Sequence, residues 1–165
     1  MSQEGIQKLG ELIDGIKIVM LTTQDPDGAL RSRPMVMQER DFDGDLWFFT
    51  GKSTGKVSSI RHDDHVNLAF ASPEDSRFVS VTGRATIVDD PAKAKELWKP
   101  LYKAWFPEGL QDPELMLLKI SVESAEYWDS HKARMVGLVD FAKALVTGEQ
   151  YQATEEENGR IDLRH

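Results

Sequence analysis

Hydrophobic residues change their spacing several times along this chain, and each change marks an element. Near the N-terminus Ile6, Leu9, Ile13 and Ile16 recur at helical spacing with polar residues between them, which predicts a short amphipathic helix. The pattern then shifts to strands: KIVMLTT, a DPDG turn, ALRSRPMVMQ, a DFDGD turn and LWFFT. Asp-Gly pairs between β-rich runs are hairpin signals, so an antiparallel meander is expected here.

Past GKSTGK, the segment VSSIRHDD suits a short helix whose first turn Ser53 or Thr54 can cap. Strands resume at HVNLAFAS and RFVSVTGRATIV, where Phe78, Ser80 and Thr82 alternate with Val79, Val81 and Gly83. Glycine inside such a run signals a bulge or a close backbone approach. Asp90-Pro91 opens a helix in DPAKAKELWKPLYKAWF, with Pro100 as its break or kink. ELMLLKISV and SAEYWDS read as two further strands. The stripe Met135, Leu138, Val139, Ala142, Leu145 and Val146 predicts a C-terminal helix over about 130–148, closed by Gly148. The polar, acidic tail 149–165 is expected to order only as an arm held by a partner subunit. Six or seven strands with tight turns and no βαβ alternation indicate a closed or split antiparallel barrel.

The chain has 165 residues, enough for one domain with a proper core and short for two. Its formal charge of -8 and pI near 5.0 argue against a nucleic-acid or anionic-membrane surface, which needs a basic stripe. Cysteine is absent, which excludes disulfides, a thiolate nucleophile and cysteine-ligated metal. No signal-peptide core and no apolar run of membrane-spanning length is present, so a cytoplasmic protein is expected.

Candidate chemistry centres on FFTGKSTGK, residues 48–56. It misses the Walker spacing, because Gly51 and Gly55 lie one residue too close and Val57 stands where Ser or Thr should hold magnesium. A strand ending at Thr50 and a helix starting near Ser53 nonetheless aim free N–H groups at one spot, with Lys52 and Lys56 adding charge. Strand periodicity places Arg31, Arg33 and Met35 on one face of the preceding strand, where arginines beside a core need an anion or an acid as partner. Pro34 removes a ladder donor and therefore belongs at an edge or bulge. The bland alternatives are a solvated turn and arginines paired with surface carboxylates. HDDH, residues 62–65, offers metal-ligand types, but a helix end splays them and a cap with surface charges accounts for them better. Trp98, Tyr102, Trp105 and Phe106 form an aromatic stripe that suits packing, with Trp105 a possible wall of a ring pocket. No paired carboxylates or Ser/His/Asp arrangement emerges, so the catalytic residues are left unassigned.

Taken in order, RSRPM, LWFFTGKSTGKVSSI, RFVSVTGRATIV and AEYWDS resemble the pyridoxamine 5′-phosphate oxidase-like FMN-binding split-barrel family, in its general stress protein 26 branch. The resemblance runs from about Ile16 to Trp128. It implies a mainly β fold with flanking helices, a six-stranded antiparallel split β-barrel, assembled as a homodimer with FMN at the interface. It further implies that Arg33, Ser53 or Thr54, and Lys56 hold the FMN phosphate, that Pro34, Met35, Val36, Phe49 and Thr50 line the ribityl chain and ring, and that Trp128 approaches the flavin from the other subunit.

The chain also departs from the oxidases of that family. WDSHKARM replaces their arginine-rich segment after the tryptophan, Gln38 stands near their substrate-binding lysine, and Gly55 replaces an FMN-holding arginine. Oxidation of pyridoxamine phosphate is therefore not expected. The expected function is a flavin-dependent oxidoreductase of unknown substrate; the alternatives are a non-catalytic flavin-binding stress protein or a barrel using deazaflavin F420 or haem. His131 is the histidine nearest the expected cofactor.

Overall fold

A computed structural model describes residues 2–130, 142–148 and 158–164. Helix α1 (Gln3–Ile13) precedes strands β1 (Ile18–Gln24), β2 (Leu30–Val36) and β3 (Asp45–Gly51) and helix α2 (Gly55–His62). Strands β4 (His65–Ser72) and β5 (Arg77–Val88), helix α3 (Pro91–Leu97), and strands β6 (Leu115–Asp129) and β7 (Asn158–Asp162) complete the order.

All pairings are antiparallel, in the order β2-β1-β4-β5-β6-β3, with β7 on β6. The expected meander holds for β1 and β2 but not for β3, which pairs with β6 instead. Both faces of β3 carry large apolar groups: Phe48 faces the barrel core, while Trp47 and Phe49 pack under α3. β3 is thus covered on both faces although it ends the sheet beyond β6, and Pro34 suits β2 to the opposite edge. The opening between β2 and β3 splits the barrel.

The core follows from alternation. Val19 and Leu21 of β1, Leu68 and Phe70 of β4, Val79 and Val81 of β5, and Leu118 and Ile120 of β6 all point inward and are buried. Leu9, Leu12 and Ile13 of α1 close one side. Helix α1 ends at Ile13, so Ile16 joins the core from the following loop rather than from the helix. Ser2 caps α1 by accepting from Gly5 N–H at 3.2 Å.

Where two strands were expected at the end of the sheet, β6 is continuous over 15 residues. Nothing between Ile120 and Ser124 is a breaker; the irregularity is a register shift opposite Thr82 and Gly83. A Cβ on Gly83 would lie 2.6 Å from the Ser121 carbonyl oxygen, so this crossing accepts only glycine. The bend lets one half of β6 pair with β3 and the other with β7.

The tail also differs from expectation. Residues 158–162 add β7 to the same chain's β6, and Ile161 and Leu163 are buried in the main core beside α1. Gly5 permits this, since a Cβ there would meet Leu163 Cδ2 at 2.9 Å. Two apolar residues among polar ones were enough to dock the strand, and mean tail polarity concealed them. The expected C-terminal helix lies outside the described residues up to position 141; residues 142–147 are helical, and Gly148 closes them at φ 74. Helix α3 is capped by Asp90, which accepts from Lys93 N–H at 3.0 Å, and stops at Leu97. Lys99 is then extended ahead of Pro100, as a residue before proline should be, and Pro100–Ala104 continue as a 3-10 turn.

Candidate functional site

Helix α2 packs against β1 and β5 with Val57 and Ile60 buried, beside the β1–β2 hairpin. Ser59 ties the two together: its hydroxyl lies 2.7 Å from Asp25 Oδ1 and 3.0 Å from the Gly55 carbonyl. Asp25 also pairs with Arg31, and its carboxyl is held below the usual range, first by the Ser59 hydrogen bond and then by the Arg31 and Arg33 guanidiniums. Arg31 thus follows the surface-carboxylate alternative.

Arg33 does not. Its Nη1 donates to Thr23 Oγ1 at 2.7 Å and to the Leu21 carbonyl at 3.4 Å, both neutral acceptors. Burial is the main influence lowering its pKa, with the Arg31 charge adding to it and the Asp25 charge opposing it. Lys56, half-buried in the first turn of α2, reaches Thr54 Oγ1 at 3.4 Å. Its pKa is lowered by burial and then by Arg33's charge, so the two cations are near neighbours. Among the described residues neither makes a salt bridge. Arg33 and Lys56 are thus two partly desolvated cations that repel each other, with the Asp25 charge acting on Arg33 alone, an arrangement that an added anion would relieve.

The backbone of α2 adds to it. Thr54 occupies the cap position but makes no capping bond; its hydroxyl donates to the Gly51 carbonyl at 2.8 Å. The capping expected of Ser53 or Thr54 is therefore absent, and the first-turn amides keep no side-chain acceptor. Ser53 is engaged elsewhere: its N–H and hydroxyl donate to Glu114 Oε2 at 3.0 and 2.6 Å.

The remaining sequence-derived positions divide between surfaces. Met35 is buried in the barrel, Val36 borders a groove, and Pro34 is exposed on the sheet's outer side. Thr50 is buried, and its hydroxyl finds no hydrogen-bond partner. Phe49 points the opposite way, against Trp98 and Tyr102 with ring centroids 5.7 and 5.0 Å apart. Trp128 stands beside Phe78 on the far side of the sheet, with β5, β4 and β1 between it and β2. The structure thus brings together Arg33, Thr54 and Lys56, and leaves Trp128 apart within one chain. Trp105 is exposed, whereas Phe106 and Tyr102 are buried.

The groove is a separate feature of about 820 Å³ between α1, the loop after β2 and the turn at Pro100–Ala104. Gln38 lies in it, accepting from the Tyr102 hydroxyl at 3.2 Å. In the HDDH stretch the side chains of Asp63, Asp64 and His65 do not splay as expected, since one ligand-type atom of each lies within 4.8 Å of the others; Asp63 takes the backbone and ring N–H of His65 at 3.0 Å and Asp64 takes Arg84 at 2.8 Å, so these carboxylates already have partners. His131 lies outside the described residues. Thr23, Asp25, Ser59 and Glu114 were not singled out from sequence. The hairpin turn concealed Asp25, and Glu114 lies 61 positions from Ser53.

A family model described as pyridoxamine 5′-phosphate oxidase like matches residues 4–152. The chain belongs to this family. Among curated proteins it is similar to protein bli-3 of Neurospora crassa, 30% identical over 153 residues, covering 87% of this chain and 73% of the relative. Among solved structures it resembles the general stress FMN/FAD binding protein of Xanthomonas citri, with 32% identity, TM-score 0.65 and coverage of 78% of this chain and 90% of that one. A protein from Clostridium acetobutylicum related to general stress protein 26 shares the fold at TM-score 0.67 and 23% identity, covering 79% of this chain and 92% of that one. The curled antiparallel sheet with flanking helices is the split barrel of these proteins. No helix among the described residues is long and apolar enough to cross a membrane.

Proposed function

We propose that this chain binds FMN and serves as a flavin-dependent oxidoreductase. The observation that carries the reading is the convergence of Arg33 and Lys56, both partly desolvated and without a salt bridge, on the uncapped first turn of α2. A terminal phosphate supplies negative charge to all three, of which only Arg33 feels a carboxylate, Asp25, without a salt bridge to it, and the forked guanidinium of Arg33 suits its oxygens. Thr23 holds that guanidinium in place, and Asp25 and Ser59 fix α2 against the hairpin. Thr50 and Met35 are buried behind the surface of this site and would shape it from below, while half-buried Val36 offers apolar contact. FMN, when bound, would accept and release hydride or electrons; the protein's part is to grip the phosphate and orient the ring. The naming of the Xanthomonas citri relative as an FMN/FAD binding protein supports the choice of ligand.

The reading includes a homodimer. The outer face of the sheet exposes Ile18, Met20, Phe78 and Trp128, with Ala69 and Ala71 between them on β4. An apolar face of this kind suits a second copy, and it would carry Trp128 to the partner's flavin. A cytoplasmic location belongs to the same proposal. Pyridoxamine phosphate is not the proposed substrate, since Gln38 replaces a cation and is tied to Tyr102.

Titration of the purified protein with FMN, followed by quenching of flavin fluorescence, tests the reading, and saturation at micromolar FMN is expected. Absence of quenching overturns it, and the absorbance spectrum as purified distinguishes FMN from deazaflavin or haem. Stopped-flow mixing with NADH or NADPH separates an oxidoreductase, whose flavin bleaches rapidly, from a passive carrier.

A further inference from the structure

Ser53 is where sequence and structure disagree most usefully. Its N–H and its hydroxyl both point to a single oxygen, Glu114 Oε2, at 3.0 and 2.6 Å. The backbone reinforces the contact, since Lys52 N–H donates to the Glu114 carbonyl at 2.8 Å. Glu114 is itself set by Asp112, whose carboxylate accepts the Glu114 N–H at 3.0 Å. This carboxylate therefore sits one residue before the cap position of α2, occupying the pair of donors that would otherwise turn to an incoming phosphate.

We infer that Glu114 is a built-in anion that competes with the cofactor phosphate for Ser53 and sets this protein's preference between phosphorylated and unphosphorylated flavin. The inference rests on the flavin reading above and concerns the same site. The phosphate is left with Arg33, Lys56 and the α2 amides, while Glu114 adds a like charge at the rim. Flavin lacking a phosphate experiences neither the clamp nor the repulsion. Lys52 is the cation whose charge acts on Glu114, and a like charge facing an incoming phosphate at a wet surface changes an equilibrium severalfold.

Glu114→Gln removes the charge and keeps an oxygen that can accept from Ser53, so the clasp between the two loops is retained. FMN and riboflavin are titrated into native protein and into E114Q by fluorescence quenching. The expected result is FMN affinity about five- to tenfold tighter in E114Q with riboflavin affinity unchanged. Unchanged FMN affinity, or an equal change for both flavins, overturns the inference while leaving the FMN reading intact. Native protein and E114Q that both fail to bind FMN overturn the flavin reading and the inference together. Ser53→Ala, carried alongside, should weaken FMN binding less than twofold if Glu114 already occupies that hydroxyl; a larger, phosphate-specific loss refutes the competition.

Discussion

Replacing Lys56 by methionine separates the energy of binding from the energy of folding. The ammonium is half-buried, and burial and Arg33's charge both lower its pKa below the usual 10.5. The sign of the linkage follows: the unfolded chain holds this proton more tightly, so the destabilisation is fully present below the folded pKa and disappears as pH rises past 10.5. K56M should therefore leave the cofactor-free protein as stable as the native one or somewhat more stable at neutral pH, and the difference should narrow as the pH climbs toward that of free lysine. Binding should change in the opposite direction. A hydrogen bond between charged groups contributes about 1.5–3 kcal/mol, and a loss of about 2 kcal/mol corresponds to FMN binding roughly 30-fold weaker. Riboflavin, without the phosphate, should bind both proteins equally. The assays are fluorescence quenching for both flavins and thermal unfolding without flavin across pH. Equal losses for FMN and riboflavin, or a clear drop in the melting temperature of the cofactor-free variant, refute the assignment of Lys56 to the phosphate.

Thr50→Val removes a buried hydroxyl that has no partner, so urea unfolding without flavin should show a gain of about 1 kcal/mol. Gly83→Ala forces a Cβ to 2.6 Å from the Ser121 carbonyl oxygen; a loss of about 1–3 kcal/mol is expected from the same measurement. Leu163→Ala should destabilise the chain by about 2 kcal/mol, the lower end for a buried leucine, because Leu163 is buried against α1 near the end of the described chain. An unaffected unfolding midpoint for L163A would mean that the tail does not contribute to the core.

Legibility in the sequence depended on how far apart the interacting residues are. Period-two alternation within β1, β4 and β5 and the Asp90-Pro91 start of α3 are local signals, and these elements lie where the pattern places them. The same locality misled at the DFDGD turn, which reads as a hairpin although β3 is drawn away to β6, because Trp47 and Phe49 require cover from α3 that no short window contains. At the site, residue type identified Arg33 and Lys56 as cations near a core edge, and geometry then distinguished Arg33 from Arg31. Arg31 meets Asp25, two strands are needed to see this, and Arg33 meets only neutral oxygens. Ser53 shows the limit most clearly. A hydroxyl before a helix start is a sound candidate for phosphate, yet what occupies it is Glu114, brought there by the Gly51–Leu115 pairing of β3 with β6. The strand exchange that the turn signals concealed is thus also what brings Glu114 to Ser53.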